Sequence, residues 1–373
     1  MKFSPLRFCA LVLPLGLLAQ QLAHETAVVN IEVPVRVYQG GRFVDDLTLA
    51  DFEITEDGVR QTPLAVYLVR KTAISKRDER GRAFQPRVDK RNFVLVFELN
   101  EVLPEINKAI DDFVGRVLMP ADSLIVCTPK TTYHFKDESF RKLSRRQAAE
   151  QLKKLLRKDV GQAAFAYRSL LKEFAEIEAM PIDPANKVFL YRNTLLKLNG
   201  LKVLDKAGFA ATADALKALE GQKFVFLFYQ KETIPIPFGF DELELFEYRK
   251  DKTIDIEDIR RAFSDGSIST HFIYITKGMA DAMGNREFRD NILEESTDIY
   301  LAFKDLTTTT GGIMDATTNA AAGMQKAVEA SEQYYLLYYA PASVRTDGSF
   351  REIKVRVKNA SYAVFHRTGY IAD

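Results

Sequence analysis

The sequence has 373 residues, of which 47% are hydrophobic and 28% charged. This composition is ordinary for a globular protein, and the length is sufficient for two domains with separate cores. The 52 Lys and Arg residues nearly balance the 51 Asp and Glu residues. No overall field therefore favours nucleic acid or an anionic lipid surface, and we expect no nucleic-acid partner.

The first residues are typical of a targeting segment. Two basic residues precede an apolar run, residues 8–19, that is too short for a stable bilayer anchor. We expect a signal peptide at residues 1–19, with cleavage after Ala23 and an uncleaved anchor as the alternatives. The sequence thus predicts an exported protein, periplasmic or extracellular, with no stable membrane span after cleavage.

Residues 24–74 have the pattern of a β-domain. Alternation from Val29 to Val37 has the period of two expected for a strand, and Pro34, which lacks an N–H, suggests an edge position. Asp57-Gly58 predicts a tight hairpin. The charged stretch 75–90, which contains Gly and Pro, is interpreted as a linker.

Residues 91–330 alternate apolar strands with helices, which indicates an α/β class with a doubly wound, mostly parallel sheet. A helical insert is expected at about 139–219, and the basic stripe on its first helix is interpreted as a solvated face. The predicted strands are Phe93–Phe97, Leu124–Thr128, Phe224–Tyr229 and His271–Thr276.

Residues 331–373 return to β structure. Tyr334–Tyr339 predicts one strand, and the alternation of Ile353, Val355 and Val357 with basic residues predicts another. Neither terminal block is large enough to be stable alone. We therefore expect both chain ends to pair into one small, discontinuous β-domain.

The first strand of the α/β region ends in polar residues just before a helix. Glu98, Asn100 and Glu101 follow the apolar run, and Pro104 fits the first turn of the next helix. In an open α/β sheet, ligands gather at such junctions. These three residues are the first candidates for a binding site.

Three ordered passages in the sequence resemble the secreted bacterial von Willebrand factor A-related family. The resemblance implies a von Willebrand A domain, a Rossmann-like sheet wrapped by helices, fused to a small β-sandwich. The passages, which together span nearly the whole mature chain, are residues 47–58, Thr310-Gly-Gly312, and residues 335–341 with Asp347-Gly348, Phe350-Arg351 and residues 366–370.

The resemblance also implies where a metal would bind. The family holds a divalent cation with Asp-x-Ser-x-Ser after the first strand, a Thr and a later Asp. Glu98, Asn100 and Val102 stand in the places of the Asp and the two Ser, and Gln230 follows the strand that should end in the later Asp. Two hydroxyls are missing, and no Thr in residues 202–212 can be assigned to the remaining role. We expect a degenerate site with no cofactor; the alternative is Mg²⁺ or Ca²⁺ bound through a rebuilt site at Glu98.

No catalytic constellation is recognisable, and we expect a protein that is not an enzyme. The four histidines are scattered, with His134 and His271 in strand-like runs that indicate edge or core positions. No nucleophile elbow or phosphate-binding loop is present. Cys127, the one cysteine after signal cleavage, lies in an apolar strand and is interpreted as a small buried hydrophobe.

One further segment suggests binding. Residues 234–240 follow the strand that ends at Tyr229, and their prolines would let Ile236, Phe238 and Phe240 be displayed at a low cost in ordering entropy. The alternative is a lid folded over the vacated metal pocket. Both place the segment at the carboxyl end of the sheet, near Glu98.

These observations favour an exported, non-catalytic adhesion or scaffold module that binds a protein or a cell-envelope component. It would use the carboxyl-end face of the sheet without a bound metal. Two alternatives remain: cation-dependent adhesion through Glu98, and a structural or assembly protein that uses the helical insert as its interface.

Overall fold

The computed structural model describes residues 30–79, 90–135, 142–201, 204–231, 233–235, 255–276, 292–294 and 297–372. These residues form a mixed α/β protein with one mostly parallel sheet and a β-rich part made of antiparallel sheets. The α/β class predicted from the sequence is confirmed at this level. No helix within the described ranges is long and apolar enough to cross a membrane.

The chain begins with the strands of the β-rich part. The bounds are β1 Ile31–Gln39, β2 Arg42–Phe43, β3 Phe52–Glu56, β4 Val59–Gln61, β5 Pro63–Arg70 and β6 Ala73–Glu79, with a 3-10 turn at Leu49–Asp51 before β3. Asp57 and Gly58, both at positive φ, form the predicted hairpin between β3 and β4. Residues 75–79 were expected to belong to a linker, but they pair with β5 as part of β6.

The α/β region follows. Its strands are β7 Arg91–Glu98, β8 Ser123–Cys127, β9 Thr132–Phe135, β10 Gln222–Gln230, β11 Thr233–Pro235, β12 Ile268–Ile275, β13 Ile292–Glu294 and β14 Met314–Thr317. Its α-helices are α1 Pro104–Asp112, α2 Arg145–Ala179, α3 Pro184–Leu201, α4 Lys206–Lys217, α5 Glu257–Asp265, α6 Thr297–Thr309 and α7 Ala320–Glu332. Pro104 occupies the first turn of α1 as predicted, and a π-helical turn at Phe113–Val117 continues that helix.

The main sheet has the strand order β14-β12-β10-β7-β8-β9, in which only β9 is antiparallel. The order runs outward in both directions from the central pair β7 and β10. Their carboxyl ends therefore form the topological switch point of the sheet, where α/β proteins bind their ligands. Register pairs Glu98 with Tyr229, so the two strands end side by side.

Both faces of this sheet are covered, which is why its central strands are continuously apolar. One face packs against α1, the first half of α2, and α7, and the other packs against α4, α5 and α6. The second half of α2 instead shares a separate core with α3, formed by Tyr167, Leu171, Phe174, Ile177, Tyr191, Leu195 and Leu198. The insert expected at 139–219 is therefore too broad, because α4 and the first half of α2 are layers of the α/β region itself.

The last strands close the β-rich part. They are β15 Gln333–Tyr339, β16 Phe350–Val357, β17 Ala363–His366 and β18 Gly369–Ile371. β1, from the beginning of the described chain, pairs with β15 and β17, and β3 pairs with β16, so both chain ends contribute to the same sheets. The sheets β17-β1-β15-β5-β6 and β18-β16-β3-β4 enclose a shared apolar core.

Pro34 departs from its expected edge position. β1 lies between β15 and β17, and Pro34 pairs with Leu336 on one side. Pairing with β17 begins only at Val35. The missing N–H of proline is tolerated because β1 has a neighbour on only one side at this residue.

Candidate functional site

The switch point brings together four of the residues that the sequence singled out. Glu98 ends β7 half-buried, Asn100 is buried in the loop that follows, and Glu101 is half-buried beside it. Gln230 ends the neighbouring strand β10 and is fully buried. The predicted juxtaposition of the two strand ends is thus present in the described structure.

The Gln230 side chain holds the loop after β7. Its amide oxygen Oε1 accepts the backbone N–H groups of Asn100 and Glu101, each at 3.0 Å. Because one neutral acceptor satisfies both donors, the loop is closed without a carboxylate at this position. An uncharged amide also contributes no negative charge that would attract a cation.

Val102 and the threonine of the searched segment make other contacts. Val102 is half-buried and packs against the main apolar core. Thr212, in the segment searched for the missing threonine, lies on α4 and donates its hydroxyl to the Gly208 carbonyl at 2.8 Å. No group of three or more His, Cys, Asp or Glu residues in the described ranges is arranged to hold a metal ion.

Cys127 ends β8, the next strand along the sheet. Burial raises the pKa of its thiol, the negative charge of Glu98 adds to the rise, and a hydrogen bond from Thr132 opposes it. The thiol is therefore kept in its protonated, weakly nucleophilic form. The side chain is half-buried, close to the small buried hydrophobe that was expected.

A second carboxylate, Asp159 on α2, lies near the same end of the sheet. It is 3% exposed and accepts the hydroxyls of Thr128 and Tyr133, each at 2.8 Å. The hydrogen bond from Tyr133 to Asp159 raises the pKa of the Tyr133 hydroxyl. No sequence pattern pointed to Asp159, since the basic stripe on α2 was interpreted as a solvated face.

Three predicted binding residues cannot be placed. Ile236, Phe238 and Phe240 lie outside the described residues. The segment just before them is described as β11, which pairs with β13 through Ile234 and Leu293 in a two-stranded ribbon.

The opposite, amino end of the main sheet carries polar groups that the sequence did not single out. Arg36 on β1 is fully buried and donates to the carbonyls of Ala330 at 2.6 Å and Gly311 at 2.7 Å, and to the Ser269 hydroxyl at 3.2 Å. One side chain of the β-rich part thus binds three places in the α/β region. Burial lowers the pKa of its guanidinium.

Arg367 makes a second such connection. It precedes β18 and donates to the Ser264 carbonyl, the Ser267 hydroxyl and the Glu32 carbonyl, at 3.0, 2.7 and 2.5 Å. Arg36 and Arg367, with the residues they contact, are called the junction below. Residues 366–370 were among the passages singled out in the sequence, but the sequence alone does not show which parts of the fold Arg367 contacts.

Two glycines allow the close approach of chains at the junction. A Cβ on Gly312 would lie 1.6 Å from the Thr270 carbonyl oxygen, and one on Gly311 would lie 2.5 Å from the His366 carbonyl carbon. Gly311 also has a positive φ of 70°. Glycine is therefore needed at positions 311 and 312 for its small size as well as for its backbone freedom, because the close contact leaves no room for a side chain.

The hairpin formed by the second half of α2 and α3 exposes large apolar side chains. Phe165 is 70% exposed, Phe189 72% and Leu196 57%. Phe189 and Leu196 are seven residues apart on α3, so they share one face of the helix. This face is a second candidate surface.

Comparisons with known proteins do not identify the chain. No protein-family model matches the sequence, and no curated protein matches it. Among solved structures, human COPII-coat protein Sec24c is similar over 77% of this chain and 44% of that one, with 8% identity and a TM-score of 0.35. The N-terminal domain of TFIIH p34 is similar over 65% of this chain and 97% of that one, with 9% identity and a TM-score of 0.25. Similarities this weak assign neither a fold family nor a function.

Proposed function

We propose that this chain is an exported, non-catalytic protein-binding module that acts as an adhesin or scaffold in the cell envelope or outside the cell. Its partner, a protein or another envelope component, would be engaged at the carboxyl-end face of the main sheet without a bound metal. The proposal includes a von Willebrand A-type, Rossmann-like domain, a small β-sandwich built from both chain ends, and a signal peptide at residues 1–19.

The observation that carries the proposal is the pair of hydrogen bonds that the loop after β7 donates to Gln230. The loop has the position of a ligand-binding loop, yet its two backbone N–H groups are satisfied by a neutral amide at 3.0 Å each. A partner would thus meet a preorganised loop, which lowers the ordering cost of binding. Glu98 and Glu101 would supply charge for orientation and partner choice.

Calorimetry tests the metal-free part of this proposal. Titration of the mature protein with Mg²⁺, Mn²⁺ and Ca²⁺ should give no saturable heat. Binding at micromolar concentration that is abolished in Glu98→Ala would instead support the alternative of a rebuilt cation site.

Partner capture tests the face itself. Wild type and Glu101→Lys should be compared on envelope extract, with and without EDTA, using Glu329→Lys on α7 as the control for the change in charge. We expect capture of the same proteins with and without EDTA, reduced in Glu101→Lys and unchanged in the control. Equal capture by all three proteins would show that the carboxyl-end face is not the binding surface.

A second candidate function is supported by the exposed face of α3. A structural or assembly role would use Phe189 and Leu196, because apolar side chains that are 72% and 57% exposed on one helical face are typical of protein contacts. Deletion of residues 139–219 would be a poor test, since it would remove core helices. The double variant Phe189→Ser/Leu196→Ser should lose capture under this alternative, whereas Leu301→Ser, at an equally exposed position on α6, should not.

A further inference from the structure

A small polar cleft lies where the amino ends of β10 and β12 meet β1 and β15. Its volume is about 40 Å³, which is enough for a small ion or a few water molecules. Its polar lining is formed by Glu32, Arg36, Gln222, Lys223, Ser267, Ser269 and Tyr334. This cleft is separate from the carboxyl-end face of the sheet.

The first observation is an uncompensated buried cation. Arg91, also at the amino end of the sheet, is paired with the Asp122 carboxylate at 2.5 and 3.0 Å. Arg36 is 0% exposed, but its partners among the described residues are two carbonyls, a hydroxyl and the face of the Tyr334 ring, and none of these carries a formal negative charge. Burial of a cation is costly unless a negative charge accompanies it.

A second cation lines the same cleft. The Lys223 Nζ donates to the carbonyls of Gly266 at 3.1 Å and Lys217 at 3.4 Å, which leaves one of its three protons for the cleft. Burial lowers the pKa of this ammonium, and Glu32 opposes that effect. Glu32 is the one carboxylate of the lining and accepts the Tyr338 hydroxyl. Two cations and one carboxylate leave the lining with an excess of one positive charge.

The hydroxyls of the lining add donors. Ser269 Oγ accepts from Arg36 at 3.2 Å, and Ser267 Oγ accepts from Arg367 at 2.7 Å. Each hydroxyl keeps its own proton, and donation from an arginine polarises that proton for a further hydrogen bond. Ser267 holds this place at a φ of +52°, a left-handed conformation that glycine adopts more easily. This position thus carries a hydroxyl side chain although its backbone conformation is strained for any residue other than glycine.

We propose that this cleft binds a small monovalent inorganic anion of halide size, with chloride as the natural ligand. The small volume suits a small ion, and the lining combines two cations with donor hydroxyls around one site. The bound anion would neutralise the excess positive charge of the lining and join the β-rich part to the α/β region. The site is at the end of the sheet opposite to Gln230, so the proposal is independent of the proposed function.

Thermal unfolding and ³⁵Cl NMR of the mature protein test this site. Sodium gluconate, whose anion is too large for the cleft, is replaced stepwise by sodium chloride at constant ionic strength. Two variants remove lining groups: Lys223→Met removes a cation, and Ser267→Gly removes a hydroxyl at a backbone conformation that suits glycine. Lys354→Met, on an exposed part of β16, controls for the lost charge.

We expect a saturable rise in Tm and a broadened ³⁵Cl line for wild type and Lys354→Met. The apparent Kd should be at least about tenfold weaker in Lys223→Met, as expected for loss of a hydrogen bond to a charged group. Ser267→Gly should fold normally and also bind more weakly. The absence of a saturable response in wild type, or the same affinity in all four proteins, would overturn the proposal.

Discussion

The two ends of the main sheet differ in how they satisfy their polar groups. At the carboxyl end, a neutral amide, Gln230, closes the loop after β7. At the amino end, Arg36 and Arg367 cross from the β-rich part into the α/β region. The loop at the carboxyl end is held by hydrogen bonds to an uncharged amide, whereas two buried arginines connect the parts of the chain at the amino end.

The difference indicates which region holds the two parts of the fold together. The glycines and Arg367, which belong to the passages that resemble a known family, lie at the junction rather than at the switch point. Those strings therefore encode how two parts of the chain fit together.

The largest effect should come from filling the close contact at the junction. Gly312→Ala would place a Cβ 1.6 Å from the Thr270 oxygen, so the backbone must move. We expect a loss of about 3 kcal/mol or more in the free energy of unfolding, measured by chemical denaturation. Gly115→Ala, whose Cβ meets no atom within 4 Å, is the control and should change stability little. Equal stability of the two variants would contradict the packing at the junction.

Removal of the buried arginine should have the next largest effect. Arg36→Met leaves the carbonyls of Ala330 and Gly311 without their donor, and we expect a loss of about 2 to 3 kcal/mol. Arg116→Met removes the same charge from a side chain that is 82% exposed and should be nearly neutral. If the two variants had the same denaturation midpoint, the connection through Arg36 would not contribute to stability.

The junction should also make stability depend on pH. Burial and the nearby charge of Arg36 hold the pKa of His271 well below its usual value, so the folded protein binds fewer protons than the unfolded chain. The contribution is fully present above the unfolded pKa of about 6.5 and is lost as pH falls below it. Between pH 7 and pH 5 we expect a loss of about 2 kcal/mol from this residue. Burial lowers the pKa of His366 as well, so that residue adds to the effect.

Urea denaturation at several pH values measures this dependence. His271→Asn removes one titrating group and should make the curve shallower. His134→Asn, on the exposed part of edge strand β9, should leave the curve unchanged. A wild-type curve that is flat between pH 5 and pH 7 would show that His271 is not held neutral.

The sequence predicted the strands that form both ends of the main sheet, but it predicted the polar groups of the carboxyl end only. Apolar periodicity identified β7, β10 and β12, and the polar residues after β7 identified the switch point. Arg36 could not be recognised, because in an alternating strand it has the pattern of an outward-facing residue. It is buried because a second region of the chain covers that face, and such tertiary contacts are not encoded in the period of a strand. The breadth of the helical insert was wrong for a related reason, since its polar composition does not reveal that the first half of α2 covers the sheet.

The smallest effect should come from the carboxyl end. Gln230→Met keeps the size of the side chain but removes the acceptor of the Asn100 and Glu101 N–H groups, so the loop should open locally. We expect a loss of about 1 to 2 kcal/mol and faster hydrogen exchange at those two amides, with little change at the junction. Gln325→Met, at an exposed position on α7, is the control. Exchange that stays slow at Asn100 and Glu101 would mean that the loop is ordered by other contacts, and the proposed metal-free binding face would lose the bond on which it depends.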